Sequence, residues 1–409
     1  MNIPLRVTFK RIALPFAGIL LAFGLFEVAV RVVCHRDEDG NYYFFNRRLP
    51  PQIIPLSRIK RVHNGYLASD TTRIIYDPDL GWSHRPNSRS EEGFYQYNSV
   101  GIRSEPREYD RYPPPRTLRI ALFGDSFTHC YEVPFRYSWG YMLEQELRRA
   151  GYRVEVLNFG VGGYGMDQAF LRWRRDGRPF HPHIVLFGFM AENAKRNVNM
   201  IRMIYNPISE LSVTKPRFIL DGRNLSLINV PTVPPDRIIE TISRLDDWKW
   251  VSHEYFYQPH DRAIWFNSKL IALLSENRYI RQYDRMERDF YSPSNEGGGL
   301  ALRIVQEFQR EAVQAGSKFY VVHIPQMVDL RDMVEGRTLP YAELLAAIDQ
   351  QCHVIHPEHR MREAARMFPV ETFYEKESHF SALTNRIVSE SILDFFMSQN
   401  IQFPSGAPQ

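Results

Sequence analysis

From Leu118 onward the chain alternates short apolar runs with segments of helical spacing, and this alternation constrains the fold more than any other feature. Leu118 to Phe123, Val154 to Leu157, Ile184 to Phe189 and Lys318 to Ile324 are too short for buried helices and have the residue types of buried strands. Between and after them, Ser138 to Arg149, Met166 to Arg174, Leu302 to Ala315, Tyr341 to Gln350 and Phe380 to Met397 carry apolar residues at helical intervals. Gly151 and Gly316 follow two of these segments, as helix ends favour. Strands alternating with helices imply a parallel sheet covered on both faces. The expected class is α/β, a three-layer α/β/α sandwich.

Composition agrees with a folded chain. Of 409 residues, 44% are hydrophobic and 24% charged, which excludes wholesale disorder and a many-span membrane protein. Lys and Arg number 51 against 47 Asp and Glu, so a net charge of +4 supplies no strongly basic face for nucleic acid. The three cysteines (Cys34, Cys130 and Cys352) are far apart, so neither a disulfide framework nor a zinc knuckle is expected. Pro113-Pro114-Pro115 marks a boundary, because proline continues neither a helix nor a central strand. The expected organisation is a tail and anchor at 1–36 and an irregular lead-in at 37–115. The main domain follows at 116–398, with an insertion at about 197–300, and then a tail at 399–409.

The N-terminus has its own character. Arg6, Lys10 and Arg11 precede an apolar run from Ile12 to Phe26, extended by Val28 to Val33 and broken only by Glu27 and Arg31. About twenty such residues span a bilayer as one helix. Glu27 and Arg31 are four apart with the acid first, the favourable order for an ion pair. A cleaved signal peptide is the competing reading, but no small-x-small cleavage site follows the run. A short basic tail running at once into an apolar helix has the form of a signal-anchor. Residues from about 40 onward are then expected outside the cytoplasm, on the periplasmic side, tethered by a single pass.

In parallel α/β sheets the reacting groups gather at the carboxyl ends of the strands. The first strand is followed by Gly124-Asp125-Ser126, the second by Asn158-Phe159-Gly160-Val161-Gly162-Gly163-Tyr164-Gly165, and the third by Met190-Ala191-Glu192-Asn193. The last helix is preceded by Glu375-Lys376-Glu377-Ser378-His379. These segments offer a hydroxyl nucleophile, glycine N–H groups, a side-chain amide and a histidine with acids beside it, which are the parts of an acyl-transfer site. Each part alone has a bland counterpart: Ser126 as a helix cap, the glycines as a turn, Glu192 as a solvated loop acid. Their joint placement at strand ends favours the catalytic reading. His129 is too close in sequence to Ser126 to approach it as a base, and Cys130 reads as a small buried residue.

This constellation resembles the SGNH/GDSL hydrolase superfamily over about residues 75–398, with its four blocks in order. The resemblance implies a flavodoxin-like sandwich of the SGNH hydrolase type. It assigns Ser126 as nucleophile, Gly163 and Asn193 as oxyanion-hole donors, and His379 as base. Asp79-Leu80-Gly81-Trp82, Pro86-Asn87 and Asn98-Ser99-Val100-Gly101-Ile102-Arg103 are similar to the lead-in of a bacterial subgroup with one N-terminal membrane segment. The family often has an Asp three residues before the histidine, where this chain has Lys376. Glu377, or Glu375, is therefore the expected acid.

The expected activity is a membrane-anchored serine esterase acting on acyl esters, with an acylated glycan or lipid among the candidate substrates. The alternatives are an O-acetyltransferase modifying an extracytoplasmic glycan and a non-catalytic membrane-tethered binding module. Ester chemistry of this kind requires neither a metal nor an organic cofactor.

Overall fold

The computed structural model describes residues 5–45, 47–49, 54–68, 73–91, 93–206, 209–222, 224–257, 267–275, 289–376, 378–399 and 401. The chain forms two compact units, Met1–Val62 with Tyr257–Met286, and His63–Phe256 with Glu287–Gln409.

The first unit is built on helix α1 (Leu5–Val33). Its stretch Pro15–Val33 is 19 residues long with a mean hydropathy of 2.1, long and apolar enough to cross a membrane. Side chains such as Phe16, Leu20, Leu21 and Leu25 are exposed rather than packed against protein. Glu27 and Arg31 pair as expected, with Arg31 Nε donating to Glu27 Oε1 at 2.6 Å. The same carboxylate accepts the Lys269 and Leu270 N–H groups, each at 2.9 Å, and so satisfies otherwise free donors at the start of that helical segment.

The second unit holds a five-stranded, wholly parallel sheet. Its strands are β1 (Leu118–Phe123), β2 (Val154–Asn158), β3 (Ile184–Phe189), β4 (Lys318–His323) and β5 (Val354–Ile355), in the spatial order β5-β4-β3-β1-β2. Period-2 alternation divides the side chains into two cores. Ala121, Phe123, Val185, Phe187, Phe319 and Val321 face α4 (Met166–Arg172), α6 (Glu296–Gln314) and α8 (Ala342–Asp349). Leu118, Ile120, Leu122, Ile184, Leu186 and Val322 face α3 (Trp139–Arg149), α7 (Met327–Val334) and α10 (Ala382–Ser398). The result is the three-layer sandwich. In α10, Ile387, Val388, Ile392 and Phe396 are buried at helical spacing, each contributing about 1.5–3 kcal/mol by leaving water.

Short connectors complete the carboxyl edge of the sheet: α2 (Ser126–His129) after β1, α5 (Glu192–Asn197) after β3 and α9 (Glu358–Ala364) after β5. The lead-in segment of this unit braces that edge. Trp82 Nε1 donates to Gly162 O at 2.9 Å, and Tyr164 Oη donates back to Trp82 O at 2.6 Å. Asn98 Oδ1 accepts Ile102 N–H at 2.9 Å, making the turn that delivers Arg103 to the interior.

Candidate active site

β1 runs into Gly124-Asp125-Ser126, and Ser126 is the first residue of α2. The cap of this helix is Asp125, whose Oδ1 accepts Phe127 N–H at 2.9 Å. The bland role for Ser126 is thereby taken by its neighbour. Ser126 Oγ lies 2.9 Å from His379 Nε2. The two residues are 253 apart in sequence, so only the sheet brings them together. His379 sits in a turn whose ends, Tyr374 and Phe380, bridge in antiparallel fashion, just ahead of Ser381, the N-cap of α10.

The partner of the imidazole differs from expectation. Glu132 Oε2 lies 2.9 Å from His379 Nδ1 and also accepts the His379 backbone N–H at 3.1 Å. Glu377 lies outside the described residues. Glu375 holds the turn through its backbone, its N–H donating to His379 O at 2.7 Å and its carbonyl accepting Ser378 N–H at 2.9 Å. The carboxylate that the described residues place at Nδ1 is Glu132, six residues past Ser126. The physical reason is that the turn is closed on its own backbone, while the loop after α2 reaches Nδ1 from the other side.

Glu132 is held in an uncommon backbone conformation, with φ at 68°. A non-glycine residue there costs on the order of 1–3 kcal/mol and persists only when its surroundings over-determine it. Those surroundings are specific. Glu132 N–H donates to Tyr95 Oη at 2.9 Å. Arg103, fully buried, donates to the carbonyls of Cys130 at 2.5 Å and Val133 at 2.7 Å, and also to that of His129. The lead-in motif ending in Arg103 therefore positions the acid loop.

Gly163 and Asn193 lie past the ends of β2 and β3, flanking β1 on the same edge. Gly163 has φ +79°, which a side chain rarely adopts, and its carbonyl accepts from Arg202 at 3.2 Å. Gly160 approaches α2 so closely that a Cβ there would overlap the backbone of Thr128 and His129. Asn193 is 1% exposed, its Oδ1 has no hydrogen-bond partner, and no hydrogen bond among the described residues commits its amide to the fold. Arg196 ties the three loops together. Its Nη1 donates to Asp125 Oδ2 at 3.2 Å beside Ser126 and to Tyr164 O at 3.1 Å in the glycine loop, from the helix that Asn193 helps to open.

Glu192 is not a solvated loop acid. It accepts from Arg196 at 3.1 Å, Tyr205 at 2.8 Å and Gln326 at 3.3 Å. Burial acts to raise its pKa, but the Arg196 charge and the hydrogen bonds from Tyr205 and Arg196 outweigh it and hold the carboxyl at about 2. Burial, reinforced by Arg196, pulls Arg202 down to about 10. Burial pushes the Cys130 thiol up to about 12, so it is no thiolate nucleophile. His129 is kept well below the ordinary imidazole range by burial and then by Arg103, and it is engaged by Tyr97 Oη at 2.9 Å.

No family model matches the chain, and no curated relative does. Its structure is similar to several solved structures. A lipase/acylhydrolase from Enterococcus faecalis is 12% identical, with 71% of this chain and 100% of that chain covered and a TM-score of 0.35. Axe2, an acetylxylan esterase from Geobacillus stearothermophilus, is 10% identical, with 70% and 95% covered and a TM-score of 0.37. A member of the lipolytic G-D-S-L family from Veillonella parvula DSM 2008 is 11% identical, with 68% and 98% covered and a TM-score of 0.34. At such identities and TM-scores nothing about activity is transferred from them, and the chemistry rests on the side chains described above.

Proposed function

We propose that the chain is a membrane-anchored serine esterase that cleaves acyl esters through Ser126, His379 and Glu132. The observation that carries this reading is the continuous relay Ser126 Oγ, His379 Nε2, His379 Nδ1, Glu132 Oε2, with 2.9 Å at each hydrogen bond. Glu132 can only accept when ionised, so it holds the proton on Nδ1 and leaves Nε2 free to accept. Nε2 then takes the Ser126 proton as Oγ attacks the ester carbonyl, and the Glu132 carboxylate stabilises the imidazolium that forms. The Ser126 and Gly163 N–H groups and the Asn193 amide serve as donors to the oxyanion. Removing one such donor costs on the order of 100- to 1,000-fold in rate. The imidazolium protonates the leaving alcohol, and water, deprotonated by His379, releases the acyl group. Helix α1 is the anchor, with the catalytic unit outside the cytoplasm.

A fluorophosphonate probe tests the nucleophile. Wild type is expected to be labelled and Ser126→Ala unlabelled, with its hydrolysis of short and long acyl esters below a few per cent of wild type. Labelling that persists in Ser126→Ala, or substantial residual turnover in that variant while it keeps the wild-type melting temperature, overturns the assignment.

A further inference from the structure

At the carboxyl ends of β4 and β5, on elements other than those that carry the serine relay, three side chains converge. His323 closes β4 and is fully buried, His356 directly follows β5, and Glu358, itself 6% exposed, opens α9. One ligand-type atom from each lies within 4.8 Å of the others. Glu358 Oε1 stands between two ring nitrogens, His323 Nδ1 at 3.0 Å and His356 Nδ1 at 2.6 Å.

The protonation pattern around His323 is the informative part. Its other nitrogen, Nε2, lies 3.1 Å from Tyr341 Oη. Where Tyr341 accepts from Nε2, Nδ1 presents a lone pair to a carboxylate oxygen. The two are close but not aligned as a hydrogen bond, and both His323 Nδ1 and Glu358 Oε2 are buried without a hydrogen-bond partner among the described residues. Two electron-rich atoms in a dry setting repel, and unpaired buried polar atoms are costly. A cation held between them reverses the sign of the interaction.

We propose that His323 Nδ1, His356 Nδ1 and a Glu358 carboxylate oxygen form a binding site for one divalent transition-metal ion of the Zn2+ class. Two imidazoles and a carboxylate suit Zn2+ and its neighbours, whereas Mg2+ and Ca2+ prefer all-oxygen shells. In a tetrahedral Zn2+ site adjacent ligand atoms are about 3.4 Å apart, so the two spacings from Glu358 Oε1 to the imidazoles need to widen by less than 1 Å. An outer shell is in place. Tyr341 Oη engages the other nitrogen of His323 at 3.1 Å, and Asp349 Oδ2 lies 3.7 Å from the far nitrogen of His356. His356 is a quarter exposed, which leaves an entry path and room for water as fourth ligand. The ion would clamp β4, the two-residue β5 and the start of α9 at the sheet edge. It takes no part in the ester chemistry.

The test uses the untagged full chain in detergent. Mass spectrometry of the purified protein is expected to find about one zinc per chain. After chelation, Zn2+ is expected to raise the melting temperature by at least about 3 °C. Mg2+ and Ca2+ are expected to have no such effect. Co2+ is expected to give visible d–d absorption bands that vanish in His356→Ala, a variant chosen because this partly exposed side chain is the one least needed for packing. Bound zinc, or a Zn2+ response that His356→Ala abolishes, supports the site. No bound metal together with no Zn2+ response overturns it, as does a response that His356→Ala leaves unchanged or that Mg2+ reproduces.

Discussion

A carboxylate facing the far nitrogen of a catalytic imidazole fixes the tautomer and stabilises the charged ring, so its loss lowers turnover more than binding. In this chain that position belongs to Glu132, which holds both the ring and the backbone N–H of His379 through one oxygen. Glu132→Gln keeps the shape and removes the charge, and its amide N–H facing Nδ1 favours the wrong tautomer. The expected result is a fall in kcat of at least about tenfold with little change in KM. The side chain is 15% exposed, so solvent screening places the effect below that of a fully buried acid. Glu375→Gln and Glu377→Gln are expected to stay near wild type. Steady-state kinetics on the three variants decide the matter, and a damaging Glu377→Gln beside a harmless Glu132→Gln would return the acid to the histidine segment.

The elements are legible to different degrees. β1 to β4 follow from their apolar runs because strands buried on both faces need no polar alternation. β5 was not expected, since Val354 and Ile355 are only two residues and are flanked by His353 and His356; their pairing with Val321 and Val322 makes them a strand. α6 begins at Glu296, earlier than the expected Leu302, because tertiary packing outweighs the low helix propensity of Gly297-Gly298-Gly299. α5 shows how loops are fastened once elements are in place. Its Glu192 has a folded pKa of about 2 against an ordinary 4.5, so the folded state binds its proton less readily than the unfolded state. The resulting stability is present above about pH 4.5 and is lost as pH falls toward 2. Melting temperatures measured across that window are expected to drop less steeply in Glu192→Gln than in wild type. Parallel acid limbs for the two proteins would show that Glu192 is not the linked group.

For the molecule as a whole, the proposed anchoring raises the question of which side of a membrane the proposed chemistry occupies. The reading proposed above places the unit that carries Ser126 outside the cytoplasm. A C-terminal fusion to a reporter active only outside is expected to be active, and activity of a cytoplasm-only reporter at the same point would reverse the topology. The amino-acid sequence by itself pointed to the parallel α/β core, the apolar N-terminal helix, and Ser126 and His379 as candidates that the structure places 2.9 Å apart. Each is a local matter: an apolar run of strand length, a helix long enough for a bilayer, a reactive residue beside a strand end or before the last helix. The tertiary structure alone decided which carboxylate meets His379, the contacts of the lead-in and the cluster at β4 and β5. Glu132 and His379 are 247 residues apart. Arg103 acts on a loop 26 to 30 residues away, and His323 meets Glu358 only after β5 has docked. Side-chain contacts between remote segments depend on how the chain is brought together in space, and proximity along the chain, which pointed to Glu377, carries no information about them.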